Sequence, residues 1–405
     1  MSTTDTEVGG AITLTDDELF SYITHDGTRQ WLTGAGLPGE STLMGFGALR
    51  DRGLRRVVEL AGDAERLAEE LQDQLVIGAL RTFDRDLESI VLDGATGVVS
   101  TTSIRPDTAP MDLSPLAPSL EALTRFAAAT EELTALHGRP APLTPLMPLM
   151  PRDTRFGPKA VTEASDRLSA VFEDVAGDRV PPFWRMAALI RPLARIEGPG
   201  EGLTLDLPKR LLDEEFGAGG IMRFEDVDFP TALTHEPTRR FLRETGLPED
   251  GFVFQLDTEV PLSALSEYYD ERPEDFTAAE RTVAELPAGA DRLIRLGHLL
   301  EDTSLVVDGS TGAVLAWSEP DLLLRPLNAD ISTLAFTLWL LHREKSLDAA
   351  HGLTDSYDHL AVTMTQTLAT VDPLACDPAP SLPGDDGRRY WPEIFEDRTR
   401  GALYA

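Results

Sequence analysis

The sequence contains a single cysteine, Cys376, among its 405 residues. One thiol cannot form an internal disulfide, and chains without disulfides are typical of reducing compartments. The first residues include Asp5 and Glu7 and have no apolar core, so they do not resemble a signal peptide. The most apolar stretches, such as 187–196, are short and interrupted by Arg or Pro, which argues against a membrane span. These features predict a cytoplasmic protein with no membrane partner.

Positive charge is also scarce. The chain has only three lysines, and its 36 basic residues are outnumbered by 69 acidic ones, for a net charge of −33. Such a surface repels the phosphates of nucleic acids, so we expect no nucleic-acid partner. It would attract a cationic protein and raise the rate of association. Solubility alone is the alternative explanation of this charge.

The sequence lacks the motifs of catalysis as well. None of the seven histidines has the i, i+4 partner and neighbouring glutamate of a zinc protease helix. There is no Gly-x-Ser-x-Gly nucleophile elbow and no phosphate-binding loop with Gly-Lys-Ser. The acidic stretch 84–88 lacks the glycine and distal glutamate of a calcium loop. We therefore predict no catalytic residues, no cofactor and no metal ion, and a protein that is not an enzyme.

What the sequence does contain is one block of residues that occurs twice, at 24–38 and at 234–248. Nine of its positions agree in residue type, and one of these is a histidine, His25 in the first copy and His235 in the second. Each copy predicts a short helix that is capped by a threonine and an acid and that ends at a glycine before a proline. We interpret the two histidines as capping or core-edge residues rather than as a duplicated catalytic pair.

Three further segments recur in the same order along the chain. They are a turn (93–97 and 308–312), a Pro-Leu loop before a helix (115–120 and 326–331) and an aromatic pair (183–184 and 390–391). Any one of these repeats would be weak evidence, but four in one order indicate an internal duplication.

The repeats place two domains in the chain. The first spans 13–196 and contains a proline-rich insert at 138–158, the second spans 224–405, and 197–223 is a hinge with a short helix. We expect both domains to share one topology, and three residue pairs to superpose: His25 with His235, Asp93 with Asp308, and Trp184 with Trp391. Both tryptophans should be buried, because their role is packing.

The second copy resembles the SUKH superfamily, and most closely its fourth subfamily of bacterial toxin-immunity proteins. The segments that carry the resemblance are 234–242 with 246–248, Leu296-Gly297 ahead of the 308–312 turn, Pro326-Leu327-Asn328 before a helix, and Tyr390-Trp391-Pro392. The resemblance is fainter over the first copy, where Glu236-Pro237 is replaced by Asp26-Gly27. These motifs are structural rather than catalytic.

The resemblance implies an α+β fold with two tandem SUKH-like domains, each a mainly antiparallel sheet flanked by helices. It also implies a non-enzymatic immunity protein that binds and neutralises a cognate bacterial toxin, of the nuclease or nucleic-acid deaminase type. An enzyme that acts on nucleic acid tends to present a basic groove, which agrees with a cationic partner for this acidic chain. One alternative is a SUKH-type scaffold or regulatory adaptor without a toxin partner, and another is an enzyme with an unrecognised site.

Negative charge is concentrated in the second copy. Residues 1–200 hold 19 basic and 30 acidic residues (−11), and 201–405 hold 17 and 39 (−22). We therefore predict that the second copy carries the partner surface, where acids surround a tyrosine pair. The predicted partner-binding residues are Glu267, Tyr268, Tyr269, Asp270, Glu271, Glu274 and Asp275. The first copy has a predicted basic helix at 50–56 instead, so the alternative is that the acidic segment packs on that helix or is a solvated face.

Overall fold

A computed structural model describes most of the chain. The described residues are 10–19, 22–39, 41, 43–61, 67–81, 86–102, 113–135, 156–271, 286–300, 302–377, 389–399 and 402–403. The chain divides into two compact units, which we treat separately. Unit 1 comprises Met1–Leu146 with Thr162–Arg191, and unit 2 comprises Met147–Val161 with Pro192–Ala405. Most of the predicted proline-rich insert, 138–155, lies outside the described residues.

The first copy is an antiparallel sheet with helices. Its strands are β1 (Met44–Gly45), β2 (Arg55–Arg56), β3 (Leu75–Arg81), β4 (Asp86–Leu92), β5 (Val99–Thr102) and β6 (Ser114–Ala117). Its helices are α1 (Asp16–Leu19), α2 (Asp26–Thr33), α3 (Gly47–Arg52), α4 (Val57–Ala61), α5 (Glu69–Gln72), α6 (Leu120–Ala135), α7 (Pro158–Ala176) and α8 (Pro182–Ile190). The strand order is β1-β3-β4-β5-β6, and β2 also pairs with β3.

Unit 2 contains the second copy and the segment predicted as a hinge, and it has the same kinds of element. Its strands are β7 (Gly198–Pro199), β8 (Leu205–Asp206), β9 (Ile221–Met222), β10 (Leu247–Pro248), β11 (Asp250–Gly251), β12 (Phe254–Leu256), β13 (Leu293–Leu299), β14 (Thr303–Asp308), β15 (Val314–Ser318) and β16 (Leu323–Asn328). Its helices are α9 (Leu211–Phe216), α10 (Glu236–Glu244), α11 (Leu265–Glu271), α12 (Ile331–His351), α13 (Tyr357–Val371) and α14 (Tyr390–Glu396). Strands β11 to β16 form one antiparallel sheet in sequence order.

Both sheets carry the same irregularity at the same place. The meander β3–β6 of unit 1 matches β13–β16 of unit 2, and in each the pairing of the first two strands slips by one residue, before Gly78 and before Gly297. A Cβ atom at Gly78 would collide with the Gly45 carbonyl oxygen, and one at Gly297 with the Gln255 carbonyl oxygen. Glycine is therefore required where a neighbouring strand approaches this closely. The shared bulge supports the predicted duplication of one topology.

The two predicted core tryptophans anchor the final helix of each copy. Trp184 and Trp391 are both 0% exposed, which confirms that they are buried. The Trp184 indole N–H donates to the Leu116 carbonyl oxygen at 2.8 Å, and the Trp391 indole N–H donates to Asn328 Oδ1 at 3.0 Å. Leu116 and Asn328 both lie on the last strand of their sheet, so the same helix-to-sheet contact occurs twice.

The segment predicted as a hinge contacts the start of α12 within unit 2. Strands β7 and β8 pair with one another. The backbone N–H and the hydroxyl of Thr204 each donate to Asp330 Oδ2 at 2.6 Å, and the N–H of Leu205 donates to the Ser332 hydroxyl at 3.0 Å. Asp330 also caps α12, because its other carboxylate oxygen accepts the N–H groups of the first turn. Among the described helices, none is long and apolar enough to cross a membrane.

Candidate functional site

In unit 2 the histidine of the duplicated block joins helix α10 to the turn between β14 and β15. The His235 N–H donates to the Gly309 carbonyl oxygen at 2.8 Å, and the ring Nδ1 lies 2.8 Å from the Thr238 hydroxyl oxygen. Gly312, in the same turn, has a φ of +79°, and a Cβ atom there would collide with the His235 ring. The His235 ring therefore packs directly against Gly312, at a position where only glycine fits.

Unit 1 repeats this arrangement. The His25 N–H donates to the Gly94 carbonyl oxygen at 3.0 Å, and the ring Nδ1 lies 2.9 Å from the Thr28 hydroxyl oxygen. Gly97 has a φ of +78°, and a Cβ atom there would also collide with the histidine ring. Each histidine thus links a helix start to a hairpin within its own copy, which is a structural role.

An aspartate closes each of these turns. Asp93 Oδ1 accepts two turn N–H groups at 2.8 and 2.9 Å, and Asp308 Oδ1 accepts two at 2.9 and 3.0 Å. Burial raises the pKa of Asp308, but hydrogen bonds from Ser310 and its neighbours outweigh burial and lower the pKa to about 2. The two turns use equivalent atoms, as the predicted superposition of Asp93 on Asp308 requires.

We expect His25→Gln and His235→Gln each to reduce the free energy of unfolding by only about 1 kcal/mol. The physical reason is that each ring loses contacts to only one threonine at a helix start: the Thr28 hydroxyl and N–H for His25, and the Thr238 hydroxyl for His235. Binding of the partner should be nearly unchanged, as measured by titration calorimetry on the folded variants. Complete loss of binding in a folded His235→Gln variant would contradict the structural role.

Helix α11 holds the predicted partner residues that the structure describes. The side chains of Glu267, Asp270 and Glu271 are exposed. Glu267 also accepts the Ala264 N–H at 3.1 Å, which caps the start of the helix. Glu274 and Asp275 lie outside the described residues. The exposed side of α11 is therefore lined by carboxylates.

The tyrosine pair of α11 makes contacts inside unit 2. The Tyr268 ring centroid lies 4.0 Å from the guanidinium carbon of Arg295, a stacked cation–π arrangement. Arg295 is only 6% exposed; it pairs with Asp257 and donates to the Ser304 hydroxyl at 3.2 Å. Tyr268 thus covers a buried ion pair in addition to any partner that it contacts.

Tyr269 packs more deeply than Tyr268. Its hydroxyl oxygen accepts the Trp317 indole N–H at 3.2 Å, and its side chain also bonds to Glu319. Burial, reinforced by the Glu319 carboxylate, raises the pKa of Tyr269, and burial likewise raises the pKa of Glu319. These contacts fix α11 to strand β15. Sequence reasoning missed this network, because its members lie far apart along the chain.

The sequence predicted a basic helix at 50–56 in the first copy, in the place that α11 takes in the second copy. This prediction was wrong. Residues 50–52 end α3, and Arg55–Arg56 form strand β2, so 50–56 is not one helix. Ala264 pairs with Ile294, which lies three residues before the bulge glycine Gly297. Arg56 pairs with Leu75, which lies three residues before the bulge glycine Gly78. The counterpart of α11 is therefore α4, and the first residue of each is fully buried. Helix α4 has one carboxylate where α11 has three.

An apolar pocket with a volume of about 60 Å³ lies beside the β11–β12 hairpin. Its walls include Phe216, Phe252 and Leu338, and Lys345 Nζ lies 4.7 Å from the centroid of the Phe252 ring. His342, at the same pocket, has its Nδ1 3.3 Å from Glu215. In the part of the chain that the structure describes, no three His, Cys, Asp or Glu side chains converge as metal ligands would. Among the described residues, no Ser, Thr or Cys lines the pocket.

A buried carboxyl in α12 was also missed by sequence reasoning. Glu344 is 0% exposed, and within the described residues neither of its carboxyl oxygens has a hydrogen-bond partner. Burial, with the nearby Asp348 carboxylate, raises the pKa of Glu344 to about 8, although Lys345 acts in the opposite direction. The sequence feature that could have identified Glu344 is its position four residues before Asp348, which places both on the face that α12 buries.

The repeated turns, bulges and tryptophan contacts define one fold used twice, and the family comparison agrees with it. The model of the SUKH-4 immunity protein family matches residues 4–144 and 207–397. The chain belongs to this family. The two matched regions of this SUKH-4 protein fall on the two copies, which confirms the tandem duplication, and its two antiparallel sheets with flanking helices confirm the α+β fold.

Membership gives the SUKH-4 protein a toxin-immunity role at the level of its family, and this role implies a toxin as partner. Among curated proteins and solved structures, none matches the chain.

Proposed function

We propose that this SUKH-4 protein is a non-enzymatic immunity protein of the cytoplasm that binds and neutralises a cationic toxin of the nuclease or nucleic-acid deaminase type. The second copy, 224–405, carries the partner surface. The contact residues are Glu267, Tyr268, Tyr269, Asp270, Glu271, Glu274 and Asp275. The observation that carries the proposal is the row of exposed carboxylates on α11, in the more acidic half of an acidic protein.

The way α11 is held supports this assignment. Its tyrosines bind it to the sheet, where one stacks on Arg295 and the other bonds to Trp317. Side chains on a fixed helix lose less conformational freedom on binding than those on a mobile loop. The carboxylates of α11 are thus presented by a rigid element, where they can steer a cationic partner and pair with it.

The test is a variant in which Asp270, Glu271, Glu274 and Asp275 are replaced by their amides. Where the genome carries a toxin-like reading frame beside this gene, its catalytically inactivated product is the probe. Association is followed by stopped-flow fluorescence at several salt concentrations. We expect the variant to associate about tenfold more slowly at low salt and with a weaker salt dependence, because steering is lost.

Unit 1 offers a matched control. Glu163, Asp166, Glu173 and Asp174 are exposed on α7, and their amide variant changes the net charge by the same amount with the same residue types. If both quadruple variants slow association equally, the effect comes from net charge and α11 is not the surface. If the inactivated toxin binds neither variant nor the wild-type protein, the chain acts as an adaptor without a toxin.

The charge variant is a cleaner test than a change of the tyrosines. Tyr268→Ala and Tyr269→Ala would expose Arg295 and leave the Trp317 indole N–H unpaired, in addition to removing any partner contact. Binding and stability would then change together.

A further inference from the structure

The tyrosines of α11 are half-buried, so the apolar contact that a tight interface needs must include a more exposed residue. Tight interfaces centre on a few apolar or aromatic side chains that become fully desolvated on binding. Leu322 lies in the turn between β15 and β16 and is 49% exposed. Trp317 and Glu319, which bond to Tyr269, belong to the same hairpin as this turn. Leu322 therefore lies in the turn of the hairpin that Tyr269 of α11 contacts.

Leu322 also has a backbone conformation that leucine rarely adopts. Its φ is +53°, a left-handed value that glycine or asparagine takes with little strain. An exposed leucine here adds no core packing to offset that strain. The conformation alone identifies no ligand, but it shows that the requirements of the turn do not explain the leucine.

The surroundings of Leu322 are acidic. Asp321 precedes it, and the Glu319 N–H donates to the carbonyl oxygen of Asp302, another exposed acid, at 3.2 Å. Three carboxylates lie on α11, and three more lie in the turns that follow β13 and β15: Asp302, Glu319 and Asp321. Of the nearby cations, Arg295 is buried and paired with Asp257, and Arg325 of β16 is half-buried. Among the described residues, acidic side chains thus outnumber basic ones on these elements.

Two other exposed apolar side chains of unit 2 lack this setting. Phe252, 54% exposed, has Lys345 stacked on its ring, so that a cation already occupies it. Val227 lies next to Asp226, whose carboxylate is paired with both Arg239 and Arg243. Charge complementarity to a cationic partner thus favours Leu322 over both.

We infer that Leu322 is the apolar anchor of a docking surface for a cationic polypeptide. Leu315 and Leu324 of the same hairpin extend this surface, and the acids of α11, Asp302, Glu319 and Asp321 are its rim. This surface deepens the proposed function and rests on it: the polypeptide is the toxin itself. Leu315 and Leu324 are half-buried neighbours that pack on the cluster around Trp317. A side chain of the toxin would cover Leu322, while its Arg and Lys residues meet the rim.

The deciding experiment is Leu322→Gly, measured for binding of the same purified, catalytically inactivated toxin probe. We expect affinity to fall about tenfold or more, mainly through faster dissociation. The thermal midpoint of the variant should be unchanged or higher, because glycine removes the left-handed strain. A gain in stability together with a loss of binding is a result that a purely structural leucine would not give.

The matched control is Leu374→Gly. Leu374 is 41% exposed in a short 3-10 helix of unit 2 and should leave binding unchanged. If Leu322→Gly binds the toxin as wild type does while the α11 amide variant binds more weakly, this inference is overturned and the proposed function stands. Equal losses for Leu322→Gly and Leu374→Gly also overturn the inference. If wild type does not bind the toxin at all, the proposed function fails and the inference fails with it.

Discussion

The Glu344→Gln variant should be more stable than the wild-type protein at pH 8.5 by roughly 3–5 kcal/mol, and nearly equal to it at pH 5. The carboxyl of Glu344 is fully buried and unpaired within the described residues. Its pKa in the folded protein is about 8, compared with 4.5 for an ordinary glutamate in water. Glutamine has nearly the same shape and cannot ionise, so it does not carry the penalty of a buried charge.

The sign of the pH dependence follows from the two pKa values. Between pH 4.5 and about 8 the folded state holds a proton on Glu344 that the unfolded state has lost. Stability therefore falls as the pH rises through this window, and the contribution of the protonated carboxyl is complete only below the unfolded pKa. Asp308, whose pKa is lowered to about 2, acts with the opposite sign, but only at lower pH.

The measurement is urea unfolding of wild type and variant at half-unit steps from pH 5 to 8.5. Glu244→Gln, an exposed change near the end of α10, is the control and should run parallel to wild type. The difference in stability between wild type and Glu344→Gln should grow as the pH rises toward 8.5 and be smallest at pH 5. Parallel curves for all three proteins across the range would show that Glu344 is ionised and solvated in the folded state.

Local features of the fold were accessible from the sequence because their causes are local. The duplicated helix start, the Asp-Gly turn and its left-handed glycine each need particular residues within about six positions of one another. Two copies in one order then indicate two like domains without any knowledge of packing. Trp184 and Trp391 could be placed in the core for the same reason, since each follows the same order of blocks.

The candidate site depended on contacts that no short pattern contains. Whether Tyr269 is an exposed anchor or a packed residue depends on Trp317 and Glu319, about 50 positions later. The mistaken prediction that 50–56 is the counterpart of α11 in the first copy has a similar cause. Only the register of β2 on β3, and of Ala264 on β13, shows that α4 is its counterpart. The outward carboxylates of α11 could be read directly from composition, because exposure is the default for Asp and Glu.

Trp391→Ala should reduce the free energy of unfolding of unit 2 by roughly 3–5 kcal/mol through lost packing alone. Its ring is fully buried against Phe395, with centroids 6.3 Å apart, and against Tyr390 at 5.1 Å. A cavity of this size between helix α14 and the sheet cannot close without moving the strand that carries Asn328. Hydrogen exchange of peptides from β13 to β16, followed by mass spectrometry, measures the loss within unit 2.

Trp391→Phe separates packing from hydrogen bonding. Phenylalanine keeps most of the ring volume but leaves Asn328 Oδ1 without its 3.0 Å donor. Asn328 cannot simply turn its amide over, because its Nδ2 donates to Thr337 at 3.1 Å and to Asp372 at 3.0 Å. We therefore expect a cost of about 1–3 kcal/mol for this variant, clearly below that of Trp391→Ala.

Trp31→Ala shows whether removal of any tryptophan destabilises the protein to this extent, or whether the large effect is specific to Trp391. Trp31 is half-buried, and its indole N–H has no hydrogen-bond partner within the described residues, so its loss should cost less than either change at Trp391. The predicted order of destabilisation is Trp391→Ala, then Trp391→Phe, then Trp31→Ala. If Trp391→Phe is as costly as Trp391→Ala, the bond to Asn328 dominates. If neither changes the exchange of β13 to β16, α14 does not hold the sheet of unit 2 together, and the equivalence with Trp184 is one of position only.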